Sequence, residues 1–390
     1  MEKKIKLAEV ETCTGCSVCS DVCPKACINM LSNNEGFLYP SISSDVCISC
    51  GKCVSACPAL QNTERNDIKK IYAMWMKNGE KIQRSTSGGV FQGLAECVLE
   101  KGGVVFGAAF DDEFALLHTQ CENTEDLSAL LGSKYLQSNT EGIYKVVYDV
   151  AELGRDVLFS GTPCQCDALI RYYLARNKSV PDNLLLCELM CHGVPSPGIF
   201  KDYMSYLESK KKRKVISYNF RYKKLRGWSV LSECIEYKKG RKDAHRAKYD
   251  AWHTWFGRHL SVRKSCYSCK YRDTVRVADI TLGDFWSIAR EMPELETQNG
   301  ISAVFVNTEK GQRYLNDCSD QFIMHEIDTE KVEKLFNVPI RKGAVTIPAS
   351  RKEFFDVYNK GGIPALFKAF PPQNFFTAVI AKLKWMIIKK

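Results

Sequence analysis

Two runs of cysteine constrain this chain more than any other feature. Cys13-x2-Cys16-x2-Cys19-x3-Cys23-Pro24 recurs, 34 positions on, as Cys47-x2-Cys50-x2-Cys53-x3-Cys57-Pro58. Three thiolates at that spacing can wrap one metal cluster from a tight loop, while a fourth, placed before proline, faces a neighbouring cluster. Zinc modules use four ligands in two pairs, not two triplets each followed by Cys-Pro. The repeat therefore predicts two 4Fe-4S clusters with crossed ligands. Cys13, Cys16, Cys19 and Cys57 would hold one, and Cys47, Cys50, Cys53 and Cys23 the other. Residues 1–62 are expected to form a small dicluster ferredoxin domain of the bacterial type, stapled by its clusters because so short a segment cannot build an ordinary core. Cys27 falls outside the pattern and reads as a packed thiol.

The remaining 328 of the 390 residues exceed what such a head needs, and a hydrophobic content of 45% supports a substantial further core. Nineteen cysteines, an odd number, at ligand spacing fit reduced thiols and a cytoplasmic setting better than a disulfide scaffold. Met1 to Val10 has no apolar leader core, and no run approaches the ~18 apolar residues of a membrane span. The net charge of +10 is concentrated in runs such as Lys210 to Lys214 and Lys238 to Lys248, which read as solvated loops. No nucleic-acid motif accompanies them, so nucleic acid is not an expected partner.

Gln61 to Lys70 is polar and reads as connecting chain, with the linker at 63–70. From Ile71 strand and helix patterns alternate. Ile71 to Met76, Val104 to Phe110, Val157 to Phe159, Leu184 to Leu189, Ile301 to Val306 and Phe322 to Ile327 read as strands, and Val90 to Glu100 as a helix. Val215 to Phe220 and Val230 to Tyr237 suggest a hairpin. The expected fold class is α+β: the ferredoxin head, then an α/β body with a mixed sheet over 71–345, in two parts at 71–155 and 156–345, then a helical basic tail at 346–390. Within the tail, Phe375, Val379, Ile380, Leu383, Met386 and Ile387 recur at helical spacing opposite lysines. Such a helix can make peripheral contact with a membrane, meet a partner, or dock on its own core.

A second group of cysteines sits among turn residues. Gly161-Thr162-Pro163-Cys164-Gln165 and Cys191-His192-Gly193-Val194-Pro195 each follow a short apolar strand, and Cys266-x2-Cys269 precedes Ala278 to Asp284. Loops after buried strands gather at one edge of a sheet, where sites are built. Four thiolates could hold a third cubane, a structural zinc, or nothing at all. Cys97, Cys121, Cys166, Cys187, Cys234 and Cys318 read as packing residues.

These segments, with Thr86-Ser87-Gly88-Gly89 and Gly132-Ser133-Lys134-Tyr135, resemble the beta subunits of the deazaflavin-coenzyme (F420) hydrogenases and dehydrogenases over about residues 71 to 340. The resemblance implies an FAD and one 4Fe-4S cluster in the body, the cluster on Cys164, Cys191, Cys266 and Cys269. No G-x-G-x-x-G opens a helix, so the flavin is expected on other loops. A serine cap followed by two glycines at Ser87, Gly88 and Gly89 would leave free N–H groups, though an ordinary capped helix start has the same residues. Lys134 and Tyr135 offer a cation and a ring, and Thr162 and Gln165 flank a ligand candidate. Asp279 and Asp284 bracket a strand end, where Asp284 can position a cofactor group or cap a turn. His192 reads as a proton relay or a structural histidine.

The expected function is that of an iron-sulfur flavoprotein oxidoreductase. It would pass electrons between a hydride carrier, the reduced deazaflavin coenzyme or similar as substrate, and a one-electron acceptor. The partner would be a redox protein such as a ferredoxin, hydrogenase or reductase subunit. The alternative is a flavin-free relay or docking subunit of a larger redox or polysaccharide-synthesis system. Catalytic residues and the direction of flow are not legible.

Overall fold

The computed structural model describes residues 5–295, 298–331 and 345–373. The expectation for the amphipathic end at Phe375 to Lys390 lies outside them. An eight-stranded sheet organises the body in the order β13-β3-β12-β11-β7-β6-β4-β5. Its members are β3 (Lys70–Met76), β4 (Val104–Phe110), β5 (Leu116–Cys121), β6 (Val157–Gly161), β7 (Leu184–Leu189), β11 (Ile280–Asp284), β12 (Ser302–Val306) and β13 (Phe322–Ile327). β4, β6, β7 and β11 run parallel at the centre, and the strands flanking this block are antiparallel.

The central strands read as unbroken apolar runs because both faces are covered. Leu158, Leu185 and Cys187 point toward the helix Val90–Glu100, while Val157, Phe159, Leu184 and Leu186 pack under the helices Ile143–Glu152 and Pro163–Leu174. The second core continues into the head through Cys16, Val18, Val22 and Ala56. The head therefore completes a layer of the body.

The head carries one hairpin, β1 (Ile28–Ser32) with β2 (Leu38–Ile42). Residues 63–70, expected as a linker, are held against the body. Asn66 bridges Arg276, the Lys69 N–H donates to Val306 O, and Arg65 pairs with Asp273. A polar composition conceals this because the bonds are made by backbone and charge.

A three-stranded antiparallel sheet of β8 (Val215–Asn219), β9 (Ser232–Tyr237) and β10 (Arg241–Arg246) forms a second unit with the helix Pro197–Lys211. β8 and β9 pair as expected, with a bulge at Val215 to Ser217, but a short helix at Lys223–Arg226 separates them. The Lys238 to Lys248 run is not a loop, since most of it is edge strand β10, where charge suits the exposed rim. Lys210 and Lys211 close a helix. The Arg351–Ala369 helix, kinked where Gly362 turns to positive φ, covers this unit through Phe354, Phe355, Ile363 and Leu366.

Candidate functional site

The head folds its two thiol sets across each other. Cys57 acts electrostatically on Cys16 and Cys19, in company with Cys13, while Cys23 and Cys50 act on Cys53. Cys27 Sγ lies 3.4 Å from Cys23 Sγ and within electrostatic reach of Cys47, so it borders the second set. Burial pushes the Cys16 and Cys19 thiols far up. Ionising thiols so grouped requires a compensating cation, which the iron of a cluster supplies, so the donor sets fit that group. No disulfide links any of the cysteines.

Cys164, Cys191, Cys266 and Cys269 meet at the C-terminal edge of the parallel block. Cys164 lies in the first turn of the Pro163–Leu174 helix after β6, and Cys191 follows β7 by two residues. Each of the other three thiols acts electrostatically on Cys164. Burial raises Cys191 to about 12 and Cys266 to about 11. The four surround a cavity of ≈ 150 Å³, whose wall also includes Thr12, Thr14, Pro58 and Ala59 of the head. The wall next to Cys57 is thus shared between the body and the head. A four-thiol donor set around such a space fits a third cluster. Below it, Arg276 forms a fully buried ion pair with Glu188, which also accepts from Thr281 Oγ1 at 2.9 Å. Arg276 lowers the pKa of Cys191 and Cys269 against the burial that raises them.

Thr162 and Gln165 belong to this edge and are spent on local structure. The Thr162 N–H donates to Gln165 Oε1 at 2.9 Å in a capping box, and Gln165 Nε2 donates to Ser138 Oγ at 2.9 Å. Thr162 Oγ1 also lies 3.1 Å from Cys164 Sγ. Asp279 sits at the opposite, N-terminal end of β11, where it accepts from Leu186 N and Thr308 Oγ1 and pairs with Lys310. It is therefore a strand anchor.

Ser87 is not the cap of the following helix; Gly89, at φ +84°, occupies that position. Ser87 Oγ donates to Ile301 O at 2.8 Å, and the Gly88 N–H donates to Ser302 Oγ at 3.0 Å. A Cβ on Gly88 would lie 2.4 Å from Met74 O. The glycine is required for packing against β3 and β12, and its N–H is not free for a phosphate. The expectation of open N–H groups at Gly88 is corrected accordingly.

Around this loop the structure gathers a polar cluster that the sequence does not announce. Lys223 Nζ donates to the carbonyls of Ile82, Ser87 and Asn299 at 2.6 to 2.7 Å. Burial and the charge of Arg221 lower its pKa to about 7, while three acceptors require the three N–H donors of the ammonium form. Arg221, buried, donates from Nη1 to Asp284 Oδ2 at 2.7 Å and to Tyr135 Oη at 3.2 Å. Trp228 Nε1 donates to Asp284 Oδ1 at 2.8 Å, and its ring stacks on Trp286 with centroids 4.6 Å apart. Trp286, 46% exposed, presents this stack to solvent.

Asp284 acts electrostatically on His192, beside Cys191, so cluster and thiol cavity are neighbours. Burial lowers the His192 pKa and favours its neutral form. Lys134, lowered to about 7 by burial, donates to Leu131 O at 2.9 Å, and the Ser133 N–H donates to Thr86 Oγ1 at 2.7 Å. The structure thus brings Ser87, Gly88, Tyr135 and Asp284 into one region and ties the Lys134 loop to it. Arg221 and Lys223 escape sequence reasoning because, within Arg221 to Arg226, a buried base has the same sequence appearance as a solvated one.

Residues 154–335 match the family model for the C terminus of the coenzyme F420 hydrogenase/dehydrogenase beta subunit. Residues 12–60 match a 4Fe-4S dicluster domain, and a second dicluster model matches 43–102, of which the part beyond Pro58 holds a single cysteine, Cys97. The F subunit of the F(420)H(2) dehydrogenase of Methanosarcina mazei is 24% identical over 370 residues, 90% of this chain and 96% of that one. The coenzyme F420-dependent sulfite reductase of Methanocaldococcus jannaschii is 23% identical over 383 residues, 92% of this chain and 54% of that protein, so the chain spans about half of it. A chain of the F420-reducing NiFe hydrogenase complex from Methanosarcina barkeri aligns with a TM-score of 0.44 at 18% identity, covering 70% of this chain and 89% of that one.

Proposed function

We propose that this chain, whose residues 12–60 match a 4Fe-4S dicluster domain and whose residues 154–335 match the family model for the C terminus of the coenzyme F420 hydrogenase/dehydrogenase beta subunit, is an iron-sulfur oxidoreductase subunit that works as a two-electron to one-electron converter. Its hydride carrier is the reduced deazaflavin coenzyme or a similar donor, its flavin is FAD, and its one-electron acceptor is a partner redox subunit. Cys164, Cys191, Cys266 and Cys269 would hold a third cluster between the flavin region and the head. When bound, the flavin would exchange a hydride for single electrons and the clusters would carry those electrons one at a time.

The observation that carries this reading is the shared wall. Thr12, Thr14, Pro58 and Ala59 of the head line the same cavity as the body's four thiols. Asp284 and Arg221 fix each other beside Tyr135, and half-exposed Trp286, stacked on buried Trp228 with the Arg221 guanidinium 4.9 Å from its ring centroid, borders this group. Arg276, held by Glu188, keeps a positive charge under the third thiol set.

A second reading, a flavin-free relay subunit, is favoured by one contact. The Gly88 N–H is consumed by Ser302 and the space at its Cα is filled by strand. Anaerobic purification with iron, zinc and flavin quantitation on one sample separates the two. About twelve irons with FAD supports the converter. About twelve irons without flavin supports the relay, and about eight irons with one zinc removes the third cluster from both.

A further inference from the structure

Arg263 is a buried cation whose described partners include no carboxylate. Its Nε donates to Cys13 O at 2.8 Å, Nη1 to Gln137 Oε1 at 3.0 Å, and Nη2 to Leu38 O at 2.9 Å. Nη2 also points at Cys13 Sγ, 3.6 Å away. The guanidinium lies over the Tyr39 ring at 4.1 Å and near Phe37 at 5.4 Å, with 0% of the residue exposed. Burying an unpaired charge is costly unless something of opposite sign compensates it. The side chain is nonetheless built in with care. Gly15, at φ +66°, is the residue where the first cysteine loop passes the guanidinium, and a Cβ there would lie 2.6 Å from Nη1. Arg263 also acts electrostatically on Cys266, so one fixed charge stands between the first thiol set of the head and the thiol set of the body.

We infer that Arg263 is a positioning residue that sets the reduction potential of the cluster on Cys13, Cys16, Cys19 and Cys57, raising it relative to the second head cluster. This rests on the reading that those four thiols hold a cluster. The physical cause is electrostatic. Reduction adds one electron, with no bond made or broken, to a group whose four thiolates already make it anionic. A fixed positive charge and an N–H aimed at a ligand sulfur stabilise the reduced form more than the oxidised one. The cluster nearest the body is thereby the better electron acceptor of the two in the head.

The test is an anaerobic redox titration of the full chain followed by electron paramagnetic resonance, with iron content measured on each sample. Arg263→Gln keeps a planar hydrogen-bonding group and removes the charge. It is expected to make reduction of one cluster at least tenfold less favourable, about 59 mV for a one-electron couple, and to leave the other head cluster in place. Where that variant fails to retain iron, Gly15→Ala supplies the test, because the added Cβ, 2.6 Å from Nη1, displaces the guanidinium and with it the Nη2 that faces the sulfur; the same cluster is expected to shift in the same direction. Unchanged potentials with iron retained would overturn the inference and leave Arg263 as a clamp between head and body. An iron content that Cys16→Ser leaves unchanged would instead sink the underlying cluster reading, before any potential is compared.

Discussion

Gly36 and Gly198 meet backbone to backbone: the Gly198 N–H donates to Gly36 O at 3.1 Å, and a Cβ on Gly36 would lie 2.8 Å from Gly198 Cα. Gly36 closes the turn of the head hairpin and Gly198 opens the Pro197–Lys211 helix, so this contact fixes the distance between head and body. Gly198→Ala cannot be absorbed by moving a flexible side chain. It should cost about 1–3 kcal/mol, typical of overpacking, read as a lower anaerobic thermal midpoint and faster proteolytic separation of the head. An unchanged midpoint would mean that the two units are not seated against each other as described.

Arg351 reaches Glu35, one residue before that contact, with two bonds of 2.8 and 2.7 Å, and both side chains are buried. Removing one partner leaves the other charge stranded, which costs about 3–5 kcal/mol for a buried pair. Arg351→Met should therefore destabilise the chain more than Glu35→Gln with Arg351→Met together. A double variant as weak as the sum of the singles would show that the pair is not coupled.

What can be read from the sequence follows from how each feature is encoded. The two thiol sets of the head are local repeats, and the central strands are apolar runs buried on both faces, so spacing alone locates them. Cys164 and Cys191 are visible because turn residues follow buried strands. The roles of Arg263, Arg221 and Lys223 depend on partners far along the chain: Cys13 for the first, Asp284 for the second, and Ile82, Ser87 and Asn299 for the third. No composition or period marks such a base as buried. The same reason hides the Gly88 bond to Ser302, 214 positions away. β10 reads as loop because an edge strand carrying Arg241, Lys242 and Arg246 has no apolar alternation to betray it.

The crossing of the two head thiol sets, taken with the proposal that they hold clusters, predicts a pairing among cysteine variants. Cys57 sits with Cys13, Cys16 and Cys19, and Cys23 with Cys53. Cys57→Ser should perturb the same resonance signal as Cys16→Ser, and Cys23→Ser the same one as Cys53→Ser. Paired perturbation of Cys57 with Cys53, each in its own repeat, would show uncrossed ligation. The readout is the spectrum of each reduced variant with its iron content, each expected to lose up to about four irons.

Away from every proposed ligand, Glu233 and Asp250 form a buried acidic pair whose two members titrate in opposite directions. Burial, then the charge of Asp250, pushes Glu233 well above the usual carboxylate range, and Tyr218 Oη bonds to it at 3.1 Å. Asp250 is held below its ordinary value by His245, the His253 N–H and Tyr203, against the burial that raises it. His253 Nδ1 lies 3.2 Å from Glu233 and His245 Nε2 3.9 Å from it. A carboxyl whose folded pKa is raised contributes stability that is complete below its unfolded value, ~4.3, and is lost as pH rises toward the folded one, with a slope of up to about 1.4 kcal/mol per pH unit. Asp250 contributes in the opposite sense, losing stability only as pH falls below its unfolded value of ~3.9, so it adds no slope above pH 5.5. Glu233→Gln should therefore remove this falling contribution, so that its stability relative to the wild type rises from pH 5.5 to pH 8 and is greatest at the upper end. Anaerobic urea denaturation of both proteins at those two pH values decides it. Equal slopes would mean that Glu233 is ionised in the fold, with its charge balanced by His253.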